Sequence, residues 1–254
     1  MYFKLLVRYL LLLTGLVSAI QVLAGTNNPA YISFQVKANR METEMHWKNE
    51  KNQLLHRFDS LHDFLKRRKQ KLLFAMNGGM YTEEREPVGL YIHQGKIIHP
   101  VNLHSAKGNF YWKPNGVFYI TKDKKAGICQ SESISQVKNI AWATQSGPML
   151  LVNKKIHPEF SPSSASKYIR NGVGILPDQE VVFLISTSEV TMYEFARYFQ
   201  ELGCTEALYL DGFVSRIWWP EKKIRPMDMD FGVMISVSEK RNNDLHHSDE
   251  ITTK

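Results

Sequence analysis

Short stretches of strand-forming residues recur between positions 30 and 238, and they restrict the fold to one built mainly from β-strands. Each stretch is mainly apolar and is bounded by Gly, Pro, Asn, Asp or charged residues. The predicted strands are 31–36, 71–76, 88–93, 96–101, 117–121, 149–152, 172–176, 181–186 and 206–210. Gln94-Gly95 separates two of them and predicts a hairpin.

Two helices interrupt these strands. Asp59 and Ser60 precede an amphipathic helix whose apolar face starts at Leu61. The basic run 66–71 that follows is typical of a solvated helix end, with a polyanion site as the alternative.

The second helix has clearer end signals. Thr191 and Glu194 fit a capping box, and Gly203 ends the helix. The strand, helix and strand at 181–210 predict a crossover unit within a larger mixed sheet.

Many strands and few helices predict an α+β fold: a single domain with a large mixed, mainly antiparallel β-sheet core and a few flanking helices. The chain has 254 residues, 43% of them hydrophobic, which suits one large core. Its two cysteines exclude a disulfide scaffold, and Cys129 and Cys204 either pair or remain buried thiols. The net charge of +7 lacks the clustering of a nucleic-acid binder.

The first residues have the pattern of a secretory signal peptide, predicted at 1–24. Lys4 and Arg8 precede an apolar run at 9–20, and residues 22–24 resemble a cleavage site. An uncleaved anchor is the alternative. We expect an exported protein, periplasmic or secreted, that meets a membrane only through this leader before cleavage.

The remaining chain divides simply. No repeat or low-complexity linker interrupts the domain predicted at 25–238. Residues 239–254 are polar without apolar periodicity and predict a loose, disordered tail.

Five segments place Gly beside a polar residue at the edge of a predicted strand. They are Asn77-Gly78-Gly79-Met80-Tyr81, Pro114-Asn115-Gly116, Gln145-Ser146-Gly147-Pro148, Arg170-Asn171-Gly172 and Asp211-Gly212-Phe213-Val214-Ser215. Any one alone is typical of a tight turn. Five in one domain predict that several converge on a cleft, where glycine admits a ligand close to the backbone.

The ordered set FAMNGGMY, QSGPMLLVN, RNGVGI, TSEVT and ALYLDGFVS resembles the phosphodiester glycosidase domain family across roughly residues 30–238. That family includes the lysosomal uncovering enzyme, which removes N-acetylglucosamine from a mannose-phosphate diester, and exported bacterial proteins, some linked to exopolysaccharide. Two positions depart from the family pattern: Asn171 stands where many relatives have Thr or Ser, and Phe213 where further glycines are common.

The resemblance implies roles for the polar residues. Arg170 would clamp the phosphate, Asp211 would assist at the sugar, and Glu189 would supply a second carboxylate. A structural salt bridge, an Asp-Gly turn and a helix-dipole partner are the respective alternatives. The substrate-binding candidates, whose polar side chains have local turn bonding as their alternative, are Asn77, Gly78, Gly79, Ser146, Gly147, Asn171, Gly212 and Ser215.

Other chemistries lack their motifs. No nucleophile elbow surrounds Ser146, and no transition-metal ligand spacing or cofactor-binding loop is present; a divalent metal stays open. Asp228-Met229-Asp230 has calcium-like spacing, but exposed loop acids are favoured. Trp218-Trp219 is either a sugar platform or part of the core.

These inferences together predict an exported hydrolase that cleaves a sugar-1-phosphodiester in envelope glycans or glycoconjugates. Its expected partner is therefore a sugar-phosphate or polysaccharide substrate. A non-catalytic glycan-binding or exopolysaccharide-assembly protein on the same scaffold is the alternative. A structural envelope protein, whose glycines serve only turns, is a third reading.

Overall fold

The computed structural model describes residues 28–211 and 213–240, and its strands form three sheets. The six-stranded sheet contains β1 (Tyr31–Lys37), β9 (Met149–Val152), β10 (Lys155–Ile156), β11 (Asn171–Ile175), β12 (Glu180–Ser186) and β13 (Glu206–Asp211). The four-stranded sheet contains β2 (Glu42–His46), β3 (Gln70–Asn77), β14 (Ile217–Trp218) and β15 (Met234–Lys240). The five-stranded sheet contains β4 (Tyr91–His93), β5 (Lys96–His99), β6 (Gly116–Thr121), β7 (Ala126–Gln130) and β8 (Ile140–Ser146).

Two α-helices and three short 3₁₀ helices accompany the sheets in the described ranges. The α-helices are α1 (Phe58–Arg67) and α2 (Met192–Glu201), and the 3₁₀ helices are Asn109–Tyr111, Ser131–Gln136 and Pro220–Lys222. Every ladder between the described strands is antiparallel. The predicted α+β class is confirmed, with the strands shared among three sheets.

The six-stranded sheet has the order β1-β12-β11-β13-β9-β10. Both β12 and β13 pair antiparallel to β11, so they run parallel to each other with β11 between them. Helix α2 connects β12 to β13, which confirms the predicted crossover. The predicted capping box is also present: the Oγ1 of Thr191 accepts the N–H of Glu194, whose carboxylate accepts the N–H of Thr191.

Aromatic packing joins the three sheets. Phe183 of the six-stranded sheet lies 5.5 Å from Phe74 of the four-stranded sheet and 6.0 Å from Phe118 of the five-stranded sheet, between ring centroids. All three rings are buried in the largest apolar cluster. The sheets therefore share one core.

Close packing explains the glycines of β11. A Cβ on Gly174 would lie 2.7 Å from both the Sγ of Cys204 and the Cδ1 of Phe199. Any side chain there would push α2 away from the sheet, so this glycine serves helix–sheet packing.

Several local predictions need adjustment. Helix α1 begins at Phe58, ahead of the expected Asp59-Ser60 cap, and its N-cap Arg57 makes no capping bond. Strands β2, β7, β8, β10, β14 and β15 were not predicted. Strand β15 continues through Lys240, whereas the rest of the predicted tail and the predicted signal peptide lie outside the described residues.

Candidate active site

Three of the five glycine-adjacent segments meet at one place. Asn77 ends β3, Asn171 begins β11 and Asp211 ends β13, and all three are buried. The Nδ2 of Asn171 donates to the main-chain oxygen (3.0 Å) and the Oδ1 (2.9 Å) of Asn77. The Oδ1 of Asn171 accepts the main-chain N–H of Asp211 at 2.8 Å. Asn171 therefore ties two sheets together at the strand end that carries Asp211.

The Asn77 amide is held in one orientation. Its Oδ1 also accepts the main-chain N–H of Arg216 at 2.9 Å, so two donors converge on that oxygen. Its buried Nδ2 has no hydrogen-bond partner within the described structure. The Asn77 side chain therefore joins the end of β3 to Asn171 and Arg216 and does not line the cleft described below.

The two candidate serines hold backbone. The Oγ of Ser215 donates to the main-chain oxygen of Asp211 at 2.6 Å, and the Oγ of Ser146 donates to that of Leu210 at 2.8 Å. Both side chains are buried. They fix the end of β13, and Ser146 brings a fourth segment to the same place.

The nearby glycines permit close packing. A Cβ on Gly79 would collide with the main-chain oxygen of Gln145, and one on Gly147 would lie 2.6 Å from the Cβ of Asn115. A Cβ on Gly78 would lie 3.1 Å from the main-chain oxygen of Val233. Protein atoms occupy the direction that a side chain would take at each of these three glycines, so close packing accounts for the lack of one. Gly212 lies outside the described residues.

A cleft of about 740 Å³ opens beside Asp211. Its other polar and charged lining residues are Arg57, Tyr81, Thr82, Glu83, Arg85, Asp228 and Asp230. Its apolar lining residues are Met80, Phe213, Val214, Met227 and Met229. The Asp211 side chain is directed by a local bond, since its Oδ1 accepts the main-chain N–H of Phe213 at 2.8 Å.

Tyr81 is electrostatically coupled to Asp211. Burial raises the pKa of Tyr81 to about 12, and the negative charge of Asp211 adds to that shift. The Tyr81 hydroxyl donates to the main-chain oxygen of Asp230 at 2.9 Å. Tyr81 therefore stays protonated at neutral pH, with its hydroxyl proton directed to the main-chain oxygen of Asp230.

The two arginines that line the cleft, Arg57 and Arg85, have different partners. Arg57 pairs with Asp59 at 2.9 Å, which leaves Arg85 as the second lining arginine. The half-buried Arg85 has its guanidinium 5.3 Å from the centroid of the Tyr81 ring, and its Nη1 donates to the main-chain oxygen of Glu83 at 3.2 Å. No carboxylate of the described residues lies within 4.0 Å of its guanidinium nitrogens. Arg85 can therefore receive an anion.

The structure places Arg170 in the interior, away from the cleft lining. Its side chain is 1% exposed, and its Nε, Nη1 and Nη2 donate to the main-chain oxygen of Val190 (2.8 Å), the hydroxyl of Tyr209 (3.0 Å) and the main-chain oxygen of Ser166 (3.0 Å). The predicted phosphate clamp is thus corrected to an internal cross-link, because these bonds direct the fork into protein. The structural salt bridge weighed as its alternative is replaced by bonds to neutral acceptors.

The remaining candidates are placed as follows. Glu189 is exposed, precedes the N-cap of α2 by two residues, and is absent from the cleft lining, so the expected second carboxylate does not join the site. Trp218 and Trp219 are buried in the core. Asp228 is an exposed loop acid as predicted, and it pairs with Arg216 at 2.9 Å.

The two cysteines are not among the residues that line the cleft. Cys129 and Cys204 are both free thiols, and burial raises their pKa values to about 11 and about 12. Across 28–211 and 213–240, no group of three His, Cys, Asp or Glu residues is arranged to hold a metal ion.

Sequence reasoning missed Tyr81 and Arg85 as site residues. Tyr81 stood in a segment already singled out, without a role, and Arg85 lies four residues further on in the charged stretch 82–86. Both residues follow closely after Asn77, where β3 ends. A polar loop that directly follows a strand end at a site is a signal that could have identified them.

The cleft therefore combines a carboxylate at a buried strand end with an arginine and a tyrosine, groups that can stabilise charge that develops in a reaction. The sequence profile of the phosphodiester glycosidase family matches residues 70–234. The chain belongs to this family, and its membership indicates a glycosidase-type function.

The chain is also similar to individual proteins. The uncharacterized protein YigE of Escherichia coli (strain K12) is 43% identical over 167 residues, which span 65% of this chain and 65% of YigE. The catalytic domain of zebrafish N-acetylglucosamine-1-phosphodiester α-N-acetylglucosaminidase, solved auto-inhibited by its pro-peptide, superposes with a TM-score of 0.51 at 14% identity. That superposition covers 84% of this chain and 85% of the zebrafish chain, so the fold is shared.

A second solved structure is also similar to this chain. It is a Burkholderia pseudomallei K96243 protein described as exported, with a TM-score of 0.53 at 10% identity over 82% of this chain and 73% of that one. Within the described ranges, no helix has both the length and the apolar character needed to cross a membrane.

Proposed function

We propose that this protein is an exported hydrolase that cleaves the bond between a sugar and a phosphodiester in envelope glycans or glycoconjugates. The observation that carries the proposal is the Asp211 carboxylate at the end of β13, lining one cleft with Arg85. The family and the name of the zebrafish relative support the reaction class. The apolar run at 9–20 and the exported relative support the location.

The reaction breaks the bond from C1 of the sugar to a phosphate oxygen, and water supplies the new oxygen on C1. The phosphate leaving group needs little protonation. The enzyme therefore mainly has to stabilise the positive charge on the sugar and the negative charge on the phosphate. The carboxylate of Asp211 stabilises the positive charge at C1 and accepts the proton of the attacking water, which then passes to solvent.

Arg85 takes the phosphate role that the sequence suggested for Arg170. Its planar fork can hold two phosphate oxygens. The Tyr81 ring beneath it restricts where the guanidinium can move. Arg57 is less suited, because it already pairs with Asp59.

A sugar 1-(p-nitrophenyl phosphate) in ¹⁸O-water tests the reaction. We expect free sugar carrying ¹⁸O at C1 together with intact p-nitrophenyl phosphate. Release of p-nitrophenol, or ¹⁸O in the phosphate, would show cleavage at phosphorus and contradict the proposal. Sugar-diester binding without turnover would favour the non-catalytic glycan-binding function instead.

Replacing Arg85 with alanine should lower kcat/KM for this diester by about 10- to 100-fold, because a charge-assisted hydrogen bond contributes about 1.5–3 kcal/mol. The main change should be a higher KM. Arg57→Ala is the matched control, since Arg57 lines the same cleft but pairs with Asp59. Steady-state kinetics measure both. A larger loss in the Arg57 variant would move the phosphate site to that residue.

A further inference from the structure

Five apolar residues, called the apolar wall below, line the cleft, and two of them are open to solvent. Phe213 is 90% exposed and Met227 is 61% exposed, and both belong to the few large hydrophobic side chains that the described surface exposes. Both line the cleft together with Met80, Val214 and Met229. An exposed apolar wall inside a polar cleft is typical of a ligand-binding surface.

This wall is connected to the candidate catalytic carboxylate. The main-chain N–H of Phe213 donates to the Oδ1 of Asp211 at 2.8 Å, and both residues line the cleft. A substrate whose sugar lies at Asp211 can therefore extend onto Phe213.

The shape and chemistry of the wall favour a flexible aliphatic chain. Three of its five members are methionines, which adapt to flexible apolar ligands. The apolar groups of a sugar, such as an acetamido methyl, are too small to cover both Phe213 and Met227. A sugar face stacked on the Phe213 ring would leave the three methionines of the wall uncovered.

We propose that the substrate is a sugar-1-phosphodiester whose second ester carries an aliphatic alcohol, with the chain packed on Phe213 and Met227. The proposal rests on the proposed function for its sugar and phosphate, and it names the group on the far side of the phosphate. Asp211 would face the sugar, Arg85 the phosphate, and the apolar wall the chain.

Two pairs of ligands separate this proposal from the proposed function. The first pair is the octyl and ethyl diesters of one sugar 1-phosphate, compared by kcat/KM below the micelle-forming concentration. The second pair is octyl phosphate and ethyl phosphate, compared by calorimetric binding, which needs no turnover. We expect the octyl member of each pair to be favoured by about 10- to 100-fold, because burial of two or three of its additional methylenes, at a factor of about 4 each, gives that range.

Variants locate the chain. Phe213→Ala and Met227→Ala should each lower the octyl-to-ethyl ratio at least threefold. Ile97→Ala should leave that ratio at its original value, because Ile97 is 67% exposed and is not among the cleft-lining residues. A ratio near 1 in the original protein would overturn the proposal, and so would an equal loss for both diesters in Phe213→Ala, which would place the ring against the sugar. Octyl phosphate binding without turnover of either diester would retain the apolar subsite and reject the proposed function.

Discussion

Replacing Asp211 with asparagine is expected to lower kcat for sugar-1-phosphodiester hydrolysis by about 10²- to 10⁴-fold, with little change in KM. The substitution removes the negative charge that would stabilise the sugar cation and accept the proton of water. It keeps a side-chain oxygen that can accept the N–H of Phe213. The main-chain bonds of Asp211 to Asn171 and Ser215 do not involve the substituted group. The loss should therefore be chemical, and thermal unfolding should occur near the original temperature.

Asp230→Asn is the matched control for that experiment. Asp230 lines the same cleft, and it accepts the hydroxyl of Tyr81 with its main-chain oxygen, which the substitution keeps. We expect less than a tenfold change in kcat for this variant. An Asp211→Asn protein that turns over within fivefold of the original would remove the carboxylate from the mechanism. A larger effect in Asp230→Asn would transfer the role to that residue.

Local sequence signals were sufficient to predict many, but not all, of the strands and turns. The capping box at Thr191 and Glu194 formed as expected, because both partners lie within one helical turn and need no tertiary information. The hairpin at Gln94-Gly95 formed for the same reason. The convergence of Asn77, Asn171 and Asp211 was also predicted, since each marks a strand end.

The direction of each side chain did not follow from the sequence. Arg170 and Asn171 are neighbours, yet Asn171 contacts Asn77 and the end of β13 while Arg170 contacts Val190, Tyr209 and Ser166. Successive side chains at a strand point to opposite faces, so a one-residue difference decides which reaches the site. Choosing between them requires knowing which face carries α2, and that depends on contacts far apart in the chain.

Predicting the residues of the cleft would have required contacts between positions still further apart in the chain. Tyr81 and Asp230 are 149 positions apart and meet through one hydrogen bond. Strands β2 and β15, which pair within the same sheet, were not predicted. Both strands mix polar residues into buried positions, for instance the buried Ser236 that contacts His46 at 2.9 Å. Their sequences consequently lack the apolar signal that identified the other strands.

The second large expected effect is a loss of folding stability when Arg170 is replaced. Arg170→Ala should lower the free energy of unfolding by about 3–5 kcal/mol, because it leaves the oxygens of Val190, Ser166 and Tyr209 without this donor. The side chain is also among the largest that are fully buried, so its removal opens a cavity. Urea unfolding measures the change.

The comparison of Arg170 with Arg85 distinguishes a structural arginine from a ligand-binding one. Arg85→Ala should change the free energy of unfolding by less than about 1 kcal/mol, because Arg85 lies in a turn at the cleft and its side chain bonds only locally. Its effect should appear in KM. Arg170→Lys keeps the charge but lacks the fork, so it should recover only part of the lost stability. If Arg170→Ala instead unfolds like the original protein and fails to bind the diester, the guanidinium turns outward to the phosphate, and the internal cross-link would have to be abandoned.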